Sequence, residues 1–454
     1  MDNEIKPFLD KTDSDVELND LSERKISLLN NNKESSLKHL TKLNLFYLTI
    51  ALAGVQFTWS VELAYGTPFL LSLGLPKSLT ALVWLAGPLS GLIIQPLIGF
   101  YSDRCTSKYG RRRPYIIAGT VLVIFSILMI SYSKEIGSFL AFGGDSNIIT
   151  IWIAVVAFYG LDFAINVVQA CCRALSIDVS PGDQQNDASI WASRMIGIGN
   201  ILGYFMGFID LKTYLPFLGS TQLKCLCVIA NTVLIITVLL TCIKTSENIL
   251  IPSHENENIK WYTPLINIIQ SMSHLPEPIQ KICNVQFWSW IGWFPFLFYT
   301  TAWINYIYSK YNSYQNTSQN EEEATRIGSF ALLIYSVISL VASFILPTAK
   351  STYDKISGNS HVDPQAFYRK VWIFSEIFLA FVFFSTIVVG KVWQAIVIIS
   401  LCGISWAVSM WVPFALIGEY LEIYNTNQDS RNDDEAECNE DKLSSGIILG
   451  IHNM

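Results

Sequence analysis

The sequence predicts an all-α protein that crosses a membrane many times, and three observations support this fold class. Of the 454 residues, 51% are hydrophobic in type and only 15% are charged, whereas soluble domains carry about 25% charged residues. The charges gather in short islands along the chain. Between the islands lie stretches of roughly 20 nearly uncharged residues, the length of a helix that spans a bilayer core. The alternating segments of about 10 residues that build a membrane β-barrel are not seen.

Ten apolar stretches are predicted to be membrane-spanning helices. They lie at 44–66, 78–101, 114–132, 149–177, 189–209, 222–243, 282–306, 327–347, 371–389 and 392–418. Residues 1–43 are polar and of mixed charge, without the apolar region of a signal peptide, so we expect a disordered cytoplasmic tail. Residues 419–442 are acidic, and the chain after them turns apolar, as the start of an eleventh helix would.

A basic loop predicts the orientation of the helices. The segment "SDRCTSKYGRRRPY" at 102–115 contains five Lys and Arg side chains and joins the second and third predicted spans. Short loops rich in Lys and Arg stay in the cytoplasm, so the N-terminus is expected there as well. The loop at 350–370, after the eighth span, is also basic and agrees with this orientation.

The longest hydrophilic gap between spans divides the chain into two parts. Residues 244–281 are expected to form a central cytoplasmic loop. Before it lies a predicted six-helix bundle over 44–243, and after it a C-terminal bundle over 282–454 with four helices and an apolar stub. This pattern indicates an architecture of six plus six helices, with about the last two missing from this chain.

The basic loop carries a sequence motif that points to a family. It consists of a glycine, an Asp-Arg pair and a Gly-Arg-Arg triplet, formed by Gly99, Asp103, Arg104, Gly110, Arg111 and Arg112. The motif resembles the second-loop signature of the major facilitator superfamily. The insert "CTSKY" between its parts, "WLAGPLSGLIIQPLIG" at 84–99 and "LDFAINVVQACCRALSIDVSPGD" at 161–183 are similar to proton-coupled sucrose and α-glucoside transporters of plants and fungi.

This resemblance extends over nearly the whole chain and implies a fold and an activity. It implies the fold of the major facilitator superfamily, in its glycoside–pentoside–hexuronide:cation symporter branch, and sugar transport by alternating access. Plant members commonly have a histidine where this chain has Lys77, so any role of that histidine is absent. The cations of the loop are expected to pair with acids and helix C-termini of the facing bundle and so to latch one conformation. The alternative is that they only fix the orientation.

The fourth predicted span carries a polar stripe. Its members stand at i, i+4, i+7 and i+11 and fall within about 60° of one another around a helix; they are Asp162, Asn166, Gln169 and Arg173. Charged residues within a span are costly and usually face a cavity or a partner. The stripe is therefore a candidate transport site, or else a polar packing seam. The resemblance implies that Asp162 is the protonation site and that Arg173 serves coupling or sugar binding.

A proton carrier within the membrane has to be a carboxylate, because no complete predicted span contains a histidine. The candidates are Asp162, Glu62 and Glu376. The apolar run at 44–75 would be about 48 Å long as one helix, too long for a core of about 30 Å, so we expect a break at Gly66–Pro68. Glu62 lies just before this break, either at a transport site or at the outer interface. Glu376 is expected at an interface.

Two other patterns are interpreted as structural. Gly199, Gly203 and Gly207, at four-residue spacing, predict a close helix-packing face. The tryptophans of the seventh span could pack against a sugar, but most of them are expected at the membrane interface. Arg326, at the head of the eighth span, resembles an arginine of the family.

The remaining composition argues against other classes of function. The nine cysteines form no metal-binding pattern, and no phosphate-binding loop or nucleophile–base set occurs, so we expect no enzyme, no metal and no cofactor. The expected partners are a small sugar, a proton and the lipid bilayer, without nucleic acid or a protein partner. The leading hypothesis is proton-coupled symport of sucrose or an α-glucoside such as maltose. The alternative is a non-transporting sugar sensor or an inactive truncated relative. The plasma membrane is the expected location, with the vacuolar membrane as the alternative.

Overall fold

The structure, a computed structural model, describes residues 39–141, 146–181, 184–247, 266, 275–311, 318–357 and 365–432. Helices are the only regular structure among these residues. The predicted tail before residue 39, most of the central loop and the apolar stub at the C-terminus lie outside the described residues.

Ten long helices coincide with the ten predicted spans. We number them α1 to α10 in chain order: Lys42–Ser72, Lys77–Asp103, Arg113–Ser131, Ser146–Val179, Gln185–Phe208, Gln222–Lys244, Glu277–Tyr311, Ser318–Ser357, Ala366–Phe384 and Val392–Asn432. Eight of them are long and apolar enough to cross a membrane. The two that fall short of this measure, α5 and α7, pack among the others.

Helix α2 has a local irregularity. A π-helical turn at Ser90–Ile94 interrupts its α-helical hydrogen bonding. Pro96 lies just beyond this turn, and a proline cannot donate to the carbonyl four residues before it. The extra residue in the turn changes which side chains of α2 face the neighbouring helix.

The predicted break in α1 is wrong, because the helix continues through Pro68 to Ser72. The sequence "GTP" has a packing role instead. A Cβ atom on Gly66 would lie 3.0 Å from the Trp84 ring and 3.1 Å from the Phe158 ring. The glycine therefore lets these two rings approach the helix. As one continuous element of about 46 Å, α1 is longer than the bilayer core is thick.

The predicted glycine face of α5 is confirmed. A Cβ atom on Gly199 would lie 2.5 Å from the Ala53 carbonyl oxygen of α1, and one on Gly203 would lie 2.7 Å from the Ser60 Cβ atom. Gly207 approaches both Tyr65 of α1 and Ser329 of α8. The two bundles thus meet along α5, which lies between α1 and α8.

The C-terminal helices pack around aromatic rings, and here the expectation for the tryptophans needs correction. Trp293 is only 1% exposed and makes edge-to-face contacts with Phe296, Phe383 and Trp406. Trp288, in contrast, is 71% exposed on the outer surface of the helix. The rings alternate in this way because successive turns of α7 bring some positions inward and others to the membrane side, which composition alone does not reveal.

We expect Gly199→Ala to destabilise the protein, because the added methyl group meets a backbone oxygen that cannot rotate away. Overpacking of this kind costs roughly 1–3 kcal/mol, and thermal unfolding in detergent should show a lower midpoint. Gly292→Ala in α7 is the matched control, since its Cβ atom would lie 3.6 Å from Phe383, an ordinary contact. An unchanged midpoint for Gly199→Ala would contradict the close approach of α1 and α5.

Candidate functional site

The acid of the predicted stripe lies deep in the N-terminal bundle. Asp162 is 3% exposed and faces α2, since its Oδ1 atom would lie 3.9 Å from a Cβ atom on Gly87. The Ser90 hydroxyl donates to the Asp162 backbone carbonyl at 3.3 Å. Among the described residues, no cation lies within ion-pair distance of the carboxylate. A buried acid without a counter-ion is poorly stabilised in its charged form.

Asn166 takes part in a seam between α4 and α2. Its Nδ2 atom donates to the Asp162 backbone carbonyl at 2.9 Å, and its Oδ1 atom accepts from Gln95 Nε2 at 2.7 Å. The amide group is therefore bonded on both sides. At Asn166 the stripe therefore packs as a polar seam between α4 and α2, which is the alternative to a transport site given above.

The solvent exposure of the side chains in the polar stripe increases along α4, from the acid to the base. Asp162 is buried, Asn166 and Gln169 are half-buried, and Arg173 is exposed. The polar stripe thus leads from the interior of the N-terminal bundle to its surface. Asp162 and Arg173 are about 16 Å apart along the helix, so they share a face without forming a pair.

Glu62 is buried within the N-terminal bundle, so its side chain faces other helices and not lipid. It is 5% exposed, and neither carboxylate oxygen has a hydrogen-bond partner among the described residues. Its side chain lines a small, largely apolar cavity between α1, α3, α4 and α6. Glu62 on α1 and Asp162 on α4 are both buried in the N-terminal bundle, on helices that pack against each other.

Glu376 belongs to a different environment. Its Oε1 atom accepts hydrogen bonds from Ser289 Oγ at 2.9 Å and from Trp372 Nε1 at 3.1 Å. The residue is half-buried between α7 and α9, inside the C-terminal bundle rather than at the start of its helix. The structure therefore does not bring it together with Asp162 or Glu62.

The basic loop after α2 is held by acids of its own bundle. Arg111 pairs with Asp178 at 2.5 Å, and Arg112 pairs with Asp178 at 2.9 Å and with Asp103. The Arg112 backbone N–H donates to Glu247 Oε1 at 2.7 Å. The expectation that the facing bundle supplies the partners is wrong here, because the end of α4 and the residues after α6 lie beside the loop.

The other loop residues have separate roles. Gly110 has a φ of +102°, and a side chain there would collide with Glu247, so only glycine fits. The Arg104 guanidinium lies 3.6 Å from the centroid of the Phe100 ring. Gly99 has open space around it. Burial of Arg112 alone would lower its pKa, but Asp178 and Asp103 outweigh that effect and raise the pKa, so its charge is retained.

Several contacts join the two bundles at the ends of α1, α5 and α8 that the predicted orientation places outside. The Thr67 hydroxyl donates to the Phe298 carbonyl at 2.5 Å, and the Trp84 and Phe298 rings stack with centroids 4.5 Å apart. Arg326 donates to the Phe208 carbonyl at 3.0 Å and pairs with Asp210 at 3.3 Å. These contacts hold the two bundles together on that side.

Sequence reasoning missed four residues of this region: Asp178, Glu247, Gln95 and Ser90. For two of them a signal was present. Asp178 is an acid at the end of the same helix as the stripe, and Gln95 is an amide inside an otherwise apolar span. The other two become visible only through the folded contacts.

Comparison with solved structures shows the fold that this chain shares. A bacterial homologue of the human lysosomal transporter Spinster matches with a TM-score of 0.53 and 11% identity, over 90% of this chain and 78% of that one. A D-xylose–proton symporter matches with a TM-score of 0.53 and 14% identity, over 84% and 83% of the two chains. The fold is that of the major facilitator superfamily.

Comparison of sequences defines the family within that class. A general α-glucoside permease of Schizosaccharomyces pombe is 32% identical, over 93% of this chain and 85% of the permease. Sucrose transport protein SUC4 of Arabidopsis thaliana is 29% identical over 88% and 79%, and sucrose transport protein SUT3 of rice (subspecies japonica) is 31% identical over 66% and 63%. The family model described as PUCC protein matches residues 69–259. The chain belongs to the sucrose and α-glucoside transporter family.

We expect Asp178→Asn to loosen the basic loop, because the substitution removes the carboxylate that both Arg111 and Arg112 contact. Cys105, a half-buried thiol in the loop, should then react faster with a maleimide in permeabilised cells. Lys108→Gln is the matched control, since Lys108 contacts only the exposed Tyr109 ring. Equal Cys105 reaction rates in Asp178→Asn and the parent chain would contradict this role of Asp178, and Cys105→Ser identifies the labelled thiol.

Proposed function

We propose that this chain carries a neutral disaccharide, sucrose or an α-glucoside such as maltose, across the membrane together with protons. The observation that supports this most strongly is the face of α4, where a buried acid, without a counter-ion among the described residues, and an exposed base stand on one helix. Such a face is expensive to keep inside a membrane unless it serves transport. Family membership supports the sugar as the substrate class, since the relatives compared above are named as α-glucoside and sucrose transporters.

The proton carriers in this proposal are Asp162 and Glu62. Both are buried, and neither has a cation within ion-pair distance among the described residues. A protonated carboxyl group can donate a hydrogen bond, whereas an ionised one only accepts. Protonation of Asp162 therefore removes an unpaired buried charge and changes the hydrogen bonds that the site offers to a sugar hydroxyl.

The substrate contacts in this proposal are Arg173, Gln169 and Asn166. Arg173 is exposed and presents a planar fork of donors, which suits the paired hydroxyl groups of a sugar. Gln169 lies between Arg173 and Asp162 on the same face and is half-buried. Asn166 would have to release its bond to Gln95 to reach a ligand, so binding at this position would be linked to a shift between α4 and α2.

The conformational part of the proposal concerns the two bundles, 44–243 and 282–454, joined by the loop at 244–281. They exchange access to the two sides by rocking against each other along α5 and α8. Within the loop motif, Arg111 and Arg112 pair with Asp178 of α4, and Arg112 also pairs with Asp103 at the end of α2. A movement of α4 at the polar stripe would therefore also move the cytoplasmic ends of α2, α3 and α4.

The alternative, a non-transporting sensor or inactive relative, is not favoured. The Schizosaccharomyces pombe relative, a permease by its description, aligns with 93% of this chain, and the stripe expected of a transporter is intact. We propose the plasma membrane as the location, with the vacuolar membrane as the alternative.

We expect Asp162→Asn to abolish uphill accumulation of sugar, because asparagine keeps the shape of the side chain and cannot take up a proton. Any remaining exchange of labelled for unlabelled sugar should lose its pH dependence. The measurement is proton-driven uptake of sucrose and maltose in membrane vesicles. Asp187→Asn, at an exposed position at the start of α5, is the matched control. Accumulation and pH dependence like those of the parent chain would shift the proton role to Glu62.

We expect Arg173→Lys to reduce uptake severely although the charge is kept. The lysine ammonium group lacks the planar fork that can hold two oxygens at once, so the apparent affinity for sugar should fall. Arg369→Lys, at an exposed position at the start of α9, is the control and should transport normally. An unchanged apparent affinity in Arg173→Lys would exclude a direct contact between Arg173 and the sugar.

A further inference from the structure

We propose that Asn200 of α5 donates a hydrogen bond from its Nδ2 group to a hydroxyl group of the transported sugar. This contact is additional to the polar stripe of α4. The inference rests on the proposed function, because it names a further contact of the same substrate. Asn200 follows Gly199 on the helix along which the two bundles meet.

The orientation of the Asn200 amide is fixed by α1. Its Oδ1 atom accepts hydrogen bonds from Gln56 Nε2 at 2.9 Å and from Ser60 Oγ at 2.8 Å. Gln56 is 5% exposed and Ser60 is fully buried. Because both donors meet Oδ1, the Nδ2 group is turned away from these two side chains.

The Nδ2 group of Asn200 is available to a ligand. It has no hydrogen-bond partner among the described residues, and the protein does not enclose it. The residue as a whole is half-buried. Asn166 of the polar stripe differs in this respect, since its amide is bonded at both ends.

Helical geometry places Asn200 between the two packing faces of α5. Gly203, three residues later, approaches Ser60 of α1, and Gly197, three residues earlier, approaches Leu340 of α8. Each glycine lies about 60° from Asn200 around the helix. Asn200 therefore faces the line where α1 of one bundle and α8 of the other come together.

The lipid side of α5 is on the opposite face. It is marked by exposed apolar side chains, which lie about 140–160° from Asn200 around the helix; they are Ile198, Leu202 and Phe205. The accessible part of Asn200 therefore faces the interior of the protein, between the bundles, and not the membrane.

The face of α5 that carries Asn200 becomes more exposed towards the cytoplasmic end. Ser193, Asn200 and Gly207 recur every seven residues, so they share this face. Gly207 is buried, Asn200 is half-buried and Ser193 is exposed. The predicted orientation places the start of α5 in the cytoplasm, so Asn200 is reached from that side in this conformation.

A sugar hydroxyl group is a suitable partner for this amide. The Nδ2 group donates without carrying a charge, which matches the neutral oxygen of a hydroxyl group. Gln56 and Ser60 already hold the amide in place, so little conformational freedom is lost when a ligand binds. A sugar that lacks the matching hydroxyl group leaves the donor without this partner.

The test measures equilibrium binding to the purified full chain at constant pH. The ligands are labelled sucrose or maltose, whichever the parent chain binds more tightly, and monodeoxy analogues of that sugar that each lack one hydroxyl group. We expect Asn200→Ala to bind the complete sugar about 3- to 10-fold more weakly, the effect of one lost hydrogen bond. One analogue should bind equally to Asn200→Ala and to the parent chain, because it lacks the hydroxyl group that meets Asn200.

Two further variants separate this contact from a structural effect. Asn200→Asp keeps an oxygen for Gln56 and Ser60 but loses the donor, so it should show the same dependence on a single hydroxyl group. Asn305→Ala is the matched control and should bind every sugar as the parent chain does, since Asn305 Nδ2 donates to Thr325 at 3.0 Å within the C-terminal bundle. Unchanged binding in both Asn200 variants, or equal weakening for every analogue, would overturn the contact. Absence of saturable binding of any sugar by the parent chain would reject the substrate of the proposed function instead.

Labelling of thiols tests the access to this position separately. In inside-out vesicles, Asn200→Cys should react with a charged maleimide faster than Leu202→Cys, which lies on the lipid side. The parent chain gives the contribution of the native cysteines, and a saturating concentration of the sugar should slow the labelling of Asn200→Cys. Equal rates at the two positions, or a rate at Asn200→Cys that sugar does not change, would contradict the contact.

Discussion

Helix α4 has to carry an acid and a base through a medium that solvates neither, and the rest of the arrangement follows from this constraint. A charged side chain at the centre of a bilayer costs about 3 kcal/mol or more. The protein meets this cost differently at each position. Asp162 is buried and packed against α2, Arg173 is exposed at the surface of the helix bundle, and Asp178 at the end of the helix pairs with the arginines of the neighbouring loop.

Helix α4 therefore carries the charged residues and is also fixed to its neighbouring helices. Its middle touches α2 through Ser90 and Gln95, and its end is tied to the loop between α2 and α3. A change of charge at Asp162 thus acts on a helix that is fixed at two points to its neighbours. The small residues of α5 let α1 and α8 approach this helix closely, so the two bundles meet along it.

Much of this could be predicted from the sequence, because hydrophobicity and helical periodicity are local properties. The ten helices follow from the length of the apolar stretches, and the shared face of Asp162 and Arg173 follows from their spacing. The continuation of α1 through Pro68 could not be predicted, since it depends on two rings from other helices that pack against Gly66. The burial of Trp293, the partners of Arg112 and the cavity beside Glu62 likewise depend on contacts between segments far apart in sequence. The family resemblance led us to expect that the cations of the loop pair with acids of the facing bundle. In the folded chain, Arg111 and Arg112 pair with acids of their own bundle.

The central claim is that sugar and proton move together, and the most direct measurement follows both in one experiment. Cells that produce the chain are suspended in weakly buffered medium without an energy source, and sucrose or maltose is added while external pH and sugar uptake are recorded. The account predicts that the medium becomes alkaline as the sugar enters, at a rate proportional to uptake, and that a protonophore abolishes the pH change. Sugar uptake without any alkalinisation would contradict coupling to protons, and alkalinisation by an organic anion but not by either sugar would contradict the substrate class.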